Sequence, residues 1–154
     1  MPVYPDTNLL VRLYTEMPES PLTLQRFENL RRNRGARLPI TWLHQMELTN
    51  AFQQLVFLAR QGGGIRMSPE RAMLCLADFD EDLVTGHGLY PAAVAATVLV
   101  REARQLSLRH TAGHGFRAYD VAHVACALLL DCDVFWSFDT KANELAKLEG
   151  LKTL

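Results

Sequence analysis

The chain reads as an α/β protein, a three-layer α/β/α sandwich with a short, mainly parallel central sheet. Two observations predict this. Short apolar strand candidates alternate along the chain with longer segments whose apolar residues recur at helical spacings. Those intervening segments run to about ten residues or more, the length that a crossover between parallel strands needs. A third observation is CDVFWSF, apolar enough to be a strand buried on both faces.

The elements follow in order. Residues 2–5 form a first short strand, in which Pro5 suits an edge or terminal position because it has no N–H to give a ladder. Asp6-Thr7-Asn8 is a turn, since Asp and Asn bond to their own nearby backbone, and Leu9 to Tyr14 is a brief helix. Pro21 fits the first turn of a helix reaching about Arg32. Leu38-Pro39-Ile40 is a strand, and Thr41 caps a long helix carrying Leu43, Met46, Phe52, Leu55, Val56 and Ala59 at helical spacings, which ends at Gly62-Gly63-Gly64. Ser68-Pro69-Glu70 is a start signal for a helix over 69–78. A short strand is expected near Leu83-Val84, and Pro91 opens a long helix to about Leu108. Tyr119 or Asp120 begins the apolar helix DVAHVACALLL. The CDVFWSF strand follows, with Asp139 at its end, then the exposed helix TKANELAKLEG, which Gly150 stops. Leu151 to Leu154 add a last strand.

The bulk numbers narrow the class. At 154 residues the length predicts a single domain, 1–154, with 49% hydrophobic and 21% charged residues, an ordinary globular composition. No apolar run reaches the roughly 18 residues of a membrane span, and the first residues lack the basic and apolar regions of a signal peptide. A cytoplasmic protein without membrane partners is expected. Cys75, Cys126 and Cys132 lie in apolar segments without metal-type spacing and read as buried thiols. Net charge is −1, but thirteen of the sixteen basic residues are arginine, and Arg26, Arg31, Arg32, Arg34 and Arg37 crowd one stretch. Without Asp6, Glu47, Asp120 and Asp139 the balance is sixteen basic to thirteen acidic, which permits a phosphate-contacting surface around an acidic centre. A solvated face explains the same run.

Those four acids carry the chemical signal. In an open parallel sheet, sites form beyond the carboxyl ends of the strands. Asp6 follows the first strand and Asp139 follows VFWSF; Asp120 heads the helix before that strand, and Glu47 lies about two turns into the long helix, at the margin of its buried face. Singly, Asp6 reads as a turn or cap, Asp120 and Asp139 as helix caps, and Glu47 as a solvated residue. Together they suggest one cleft, where like charges raise each other's pKa unless a cation intervenes. Carboxylate oxygens are the usual ligands of Mg²⁺ or Mn²⁺. His110 and His114 are spaced by four, but Ala112-Gly113 between them argues a loop, and His123 reads as a satisfied core histidine. Phosphate-loop and nucleophile-elbow motifs are absent.

With those residues in place the chain resembles a PIN domain, and within that family a VapC-type toxin ribonuclease. Asp6-Thr7-Asn8-Leu9-Leu10 is similar to the opening acidic motif. Glu47 in TWLHQMELTNAF matches the helical glutamate, Asp120 in RAYDVAHVACAL the third acid, and Ser137-Phe138-Asp139 the closing motif. The trailing LAKLEGLKTL is similar to the family's last helix and strand, so the resemblance spans residue 3 to about 153. Pro5 departs from the usual strand residue, and Ser137 replaces the commoner threonine while keeping the hydroxyl.

The resemblance implies metal-dependent hydrolysis of RNA phosphodiester bonds. One or two Mg²⁺ or Mn²⁺ ions would be held most directly by Asp6 and Asp120, with Asp139 a direct or water-mediated ligand. Glu47 would orient or deprotonate the attacking water, Asn8 and Ser137 would hold carboxylates by hydrogen bonds, and Arg117 would contact a substrate phosphate. It also implies a homodimer and a small cognate antitoxin seated across the groove. The apolar residues of 9–14 and of Glu47 to Leu58 supply either that surface or core. Two rivals stand beside this reading. One is a non-catalytic RNA-binding or regulatory module; the other is a maturation or DNA-directed nuclease of the same fold.

Overall fold

The structure, a computed structural model, describes residues 1–64 and 66–154, and their side chains except those of Asn33 and Arg34. In chain order the first elements are β1 (Val3–Pro5), α1 (Thr7–Tyr14), α2 (Ser20–Arg34), β2 (Leu38–Ile40), α3 (Trp42–Arg60) and α4 (Pro69–Thr85). Then come β3 (Leu89–Pro91), α5 (Ala96–His114), α6 (Ala118–Leu129), β4 (Val134–Trp136), α7 (Thr140–Leu148) and β5 (Lys152–Thr153). These form two compact units, one of Met1–Asp6 with Ala92–Leu154 and the other of Thr7–Pro91. Among the described residues every strand pairing is parallel, so the chain has the α/β fold its strand–helix alternation implies.

The first unit is built on a three-stranded sheet in the order β1-β4-β5. Tyr4 pairs with Phe135, and their rings stack with centroids 5.9 Å apart. Pro5 ends the β1 side of the sheet opposite Trp136, where its missing N–H costs least. The ladder resumes one residue later, with the Asp6 N–H donating to the Trp136 carbonyl at 2.9 Å. β4 is buried along its whole length. The helix α6 buries Val121, Val124, Ala125, Cys126 and Ala127, and it packs against α5 and α7. Small residues on α6 let its neighbours approach closely, and α7 answers with Ala142, Leu145 and Ala146.

In the second unit β2 and β3 pair directly, Leu38 opposite Leu89 and Ile40 opposite Pro91. Its core joins Leu9, Leu10 and Leu13 of α1, Leu48, Phe52 and Val56 of α3, and Ala72, Cys75 and Phe79 of α4. Each such large side chain removed from water contributes about 1.5–3 kcal/mol before entropy is counted. The apolar residues of 9–14 are therefore core. Along α3, Met46, Phe57 and Leu58 stay exposed.

Several boundaries match the sequence reading. Thr41 caps α3, its N–H reaching His44 Nδ1 at 3.0 Å, and Ser68 Oγ accepts from the Arg71 N–H at the head of α4. All three cysteines are buried thiols. Four expectations are corrected. Thr7 and Asn8 are the first residues of α1, not a turn. Leu83-Val84 is no strand; it is the last stretch of α4, which runs on to Thr85, and Val84 is 87% exposed on it. Pro91 closes β3, and α5 starts only at Ala96. Ala112-Gly113 lies inside α5, which reaches His114. His110 and Arg109 bond to Glu149, and His114 to Glu144, so this last turn is tied to α7 and the residue after it.

Candidate active site

Asp6, Asp120, Asp139, Ser137 and Arg117 all belong to the first unit, and one hydrogen-bonded network joins them. Asp6 leaves the end of β1 only 7% exposed, and Ser137, the residue after β4, donates its hydroxyl to Asp6 Oδ2 at 2.6 Å. The same Ser137 oxygen accepts the Asp139 N–H at 2.9 Å. One hydroxyl thus ties two acids together at adjacent strand ends, β1 and β4 being hydrogen-bonded neighbours.

Asp139 caps α7: its Oδ1 accepts the Lys141 N–H at 2.8 Å and the Ala142 N–H at 3.0 Å. Its Oδ2 faces Arg117 Nη2 at 2.9 Å. Arg117 precedes α6, and both its backbone N–H and its Nε donate to Oδ2 of Asp120, the third residue of that helix. The cap and the candidate ligand are therefore the same carboxylate in both cases. The guanidinium pKa is raised, first by the hydrogen bond to Asp120 and then by the charges of Asp120 and Asp139.

Two residues outside the expected set enter the same network. His123, buried on α6, shares a 2.9 Å hydrogen bond between its Nδ1 and the Tyr4 hydroxyl. Its Nε2 lies 3.7 Å from Asp6 Oδ1. The sequence reading made His123 a satisfied core histidine, which the Tyr4 bond fits. Its spacing of three from Asp120 was the signal that it shares that acid's side of the helix.

Glu47 stands in the second unit, half-buried on α3, where its Oε2 accepts from Thr7 Oγ1 at 3.0 Å. Asn8 is half-buried at the second position of α1, and its carbonyl accepts from Arg12 Nη1. Thr7 is the residue that sequence reasoning passed over, although it sits between two that were chosen.

The donors in the first-unit network are hard oxygens, carboxylate and hydroxyl, which suit Mg²⁺ or Mn²⁺ in kind. The network also already accommodates a positive charge between Asp120 and Asp139, that of Arg117. Among the described residues, as these side chains stand, no group of three or more His, Cys, Asp or Glu is arranged to hold a metal ion. Arg117 is 73% exposed, so its side chain leaves the two carboxylates at little packing cost.

Comparison with known proteins places this geometry on a familiar scaffold. No protein-family model and no characterised protein sequence matches the chain. Solved structures do. VapBC2 from Rickettsia felis, crystallised bound to a DNA fragment from its promoter, superposes with a TM-score of 0.69 at 15% identity, covering 100% of this chain and 98% of that one. The likeness establishes the fold. FitAcB from Neisseria gonorrhoeae gives 0.63 at 12% identity, covering 99% and 96% of the two chains. VapC20 from Mycobacterium tuberculosis, a toxin that cleaves the sarcin-ricin loop, gives 0.59 at 12% identity over 92% and 93%. Among the described residues no helix is long and apolar enough to cross a membrane.

Proposed function

We propose that the chain is a metal-dependent endoribonuclease that hydrolyses RNA phosphodiester bonds, the toxin of a cytoplasmic toxin–antitoxin pair. The observation that carries the reading is the network in which Ser137 and Arg117 bind Asp6, Asp120 and Asp139 together at strand and helix ends. The fold shared with VapBC2, FitAcB and VapC20 supports it.

In this reading Asp6, Asp120 and Asp139 would hold one or two Mg²⁺ or Mn²⁺ ions, with Glu47 proposed as a further ligand. Such an ion, when bound, lowers the pKa of a water and neutralises charge on the phosphoryl oxygens. The chain's own residues do the rest. Ser137 donates to Asp6 and so holds that carboxylate in place. Glu47, held by Thr7, orients or deprotonates the attacking water, and Asn8 steadies a carboxylate. Arg117 exchanges its two acids for a substrate phosphate, which its planar fork grips with two parallel bonds. A small cognate antitoxin and a second copy of the chain are the proposed protein partners. Met46, Phe57 and Leu58 on α3 offer an apolar surface for the antitoxin, since the residues of 9–14 are spent in the core.

A non-catalytic RNA-binding module is the second reading, favoured by the lack of a ready metal-holding group among the described residues. RNA cleavage separates the two. The wild type is expected to cut RNA with Mg²⁺ or Mn²⁺ and to stop in EDTA, and Asp6→Asn is expected to fold but not cut. Full cleavage by Asp6→Asn, or cleavage indifferent to EDTA, refutes the assignment.

A further inference from the structure

Three of the arginines that the sequence crowds between residues 26 and 37, Arg31, Arg32 and Arg37, converge on one open groove within the second unit. Arg31, Arg32 and Arg37 wall a space of about 300 Å³ that is also lined by Gly86 and Gly88. The groove's lining is otherwise Gly35 and Ala36, with no acidic side chain in it among the described residues.

The groove is built around the arginine stems. Gly88 has φ +75°, and a Cβ there would lie 2.2 Å from Phe27 Cζ and 2.9 Å from Arg31 Cδ. Gly86 has φ +73°, and a Cβ there would sit 3.2 Å from Arg37 Nη1. Both positions need glycine for backbone conformation, and their bareness makes room for the two side chains. Arg31 is held from both sides: Nη2 donates to Glu28 Oε2 at 3.1 Å and Nη1 donates to His87 Nδ1 at 3.1 Å. The Arg37 guanidinium lies 5.5 Å from the centroid of the Tyr90 ring. Arg32 is 77% exposed and stands 3.5 Å from Glu28. Glu28 is thus paired with two of the three guanidiniums, and the hydrogen bond from Arg31 keeps its carboxyl below the usual range and ionised. Three cations against one anion leave the groove positive.

We propose that this groove binds backbone phosphates of RNA, as a docking contact that belongs wholly to the second unit. The ligand's identity rests on the ribonuclease reading above; the binding does not depend on metal or on cleavage. Guanidinium forks match phosphate oxygens in geometry, and two of the three are already positioned by Glu28, His87 and Tyr90, so ordering them costs little. An acidic peptide fits less well, because the lining offers no apolar side chain beyond Ala36 for a peptide to bury.

The test is binding of a short fluorescein-labelled single-stranded RNA, followed by anisotropy in EDTA across a salt series. The full chain is compared with Arg32→Ala/Arg37→Ala, Arg32→Lys/Arg37→Lys and Asp6→Asn. Losing two phosphate contacts is expected to flatten the slope of log affinity against log salt by about 1.4 and to weaken binding roughly tenfold at low salt. The lysine pair keeps most of the slope, and Asp6→Asn reads cleavage separately from binding. Unchanged affinity and slope in the alanine pair, with its melting temperature also unchanged, overturns the proposal. So does a loss seen only with a polyglutamate probe and not with RNA. Cleavage by Asp6→Asn would defeat the catalytic reading and leave the groove standing. Arginine variants that bind RNA normally, beside an inactive Asp6→Asn, would defeat the groove alone.

Discussion

Asp139 is asked to be both a helix cap and a member of the acid network, and two substitutions separate these roles. Asp139→Ala removes the acceptor of the Lys141 and Ala142 N–H groups at the start of α7. Losing a cap of this kind costs about 0.5–2 kcal/mol, typically about 1. It also removes the partner of Arg117 Nη2 at 2.9 Å, but that guanidinium is mostly in water, so the pair adds only about 0–1 kcal/mol. The sum is about 1–2 kcal/mol. In a chain of this size each kcal/mol moves the midpoint by about 2–4 °C, so a fall of about 2–8 °C is expected. Asp139→Asn keeps a capping oxygen and removes the charge, and asparagine caps as well as aspartate, so its cost is that of the exposed ion pair, about 0–1 kcal/mol. Urea and thermal unfolding followed by circular dichroism read both values. If the asparagine variant is as unstable as the alanine variant, the negative charge rather than the cap holds this corner. The network would then be a structural ion cluster.

Three further outcomes follow from the same structure. Partial burial pushes the Glu149 carboxyl up, yet hydrogen bonds from His110 and Arg109 outweigh it and hold the group below 4.5. A depressed carboxyl contributes stability above its unfolded pKa and loses it as pH falls through the folded one. Wild-type urea midpoints should therefore drop more steeply below pH 4.5 than those of Glu149→Gln, and parallel curves would contradict the assignment. Burial pushes the Cys132 thiol up to about 11 and raises Cys75 too, so the native chain should resist thiol reagents at about pH 8, with all three thiols reacting in urea. Tyr4→Phe loses the buried 2.9 Å bond to His123 and should cost about 1 kcal/mol in urea unfolding; an unchanged midpoint would show that the bond carries no net stability.

Much of the fold was legible because local signals and tertiary contacts agreed. Ser68-Pro69 starts a helix on capping chemistry alone, and the apolar run around β4 is buried as read. The failures mark places where one residue type serves two purposes. Pro91 suits the first turn of a helix, but it suits the last residue of a strand equally, and here it ends β3 opposite Ile40. Leu83-Val84 looked like a strand because both are apolar, whereas α4 simply continues until Gly86 takes the left-handed cap. Gly113 disfavours a helix by only about 1 kcal/mol. The bonds from His110 and His114 to Glu149 and Glu144 draw on residues about thirty to forty positions away, which no local window contains. In the candidate site, Asp6, Asp120 and Asp139 were legible from their places at element ends. Less legible was Arg117 joining Asp120 to Asp139, since only folding brings that arginine and Asp139, 22 residues apart, together.

Calorimetric titration with Mn²⁺ tests the central claim most directly, because it needs neither the RNA target nor the antitoxin. Wild-type protein is expected to bind Mn²⁺ saturably. Asp6→Asn and Asp120→Asn should each weaken binding by more than the roughly 10–100-fold that outer-shell losses cost, with unfolding midpoints unchanged. Equal binding by wild type and both variants, or no binding by the wild type, would contradict the account.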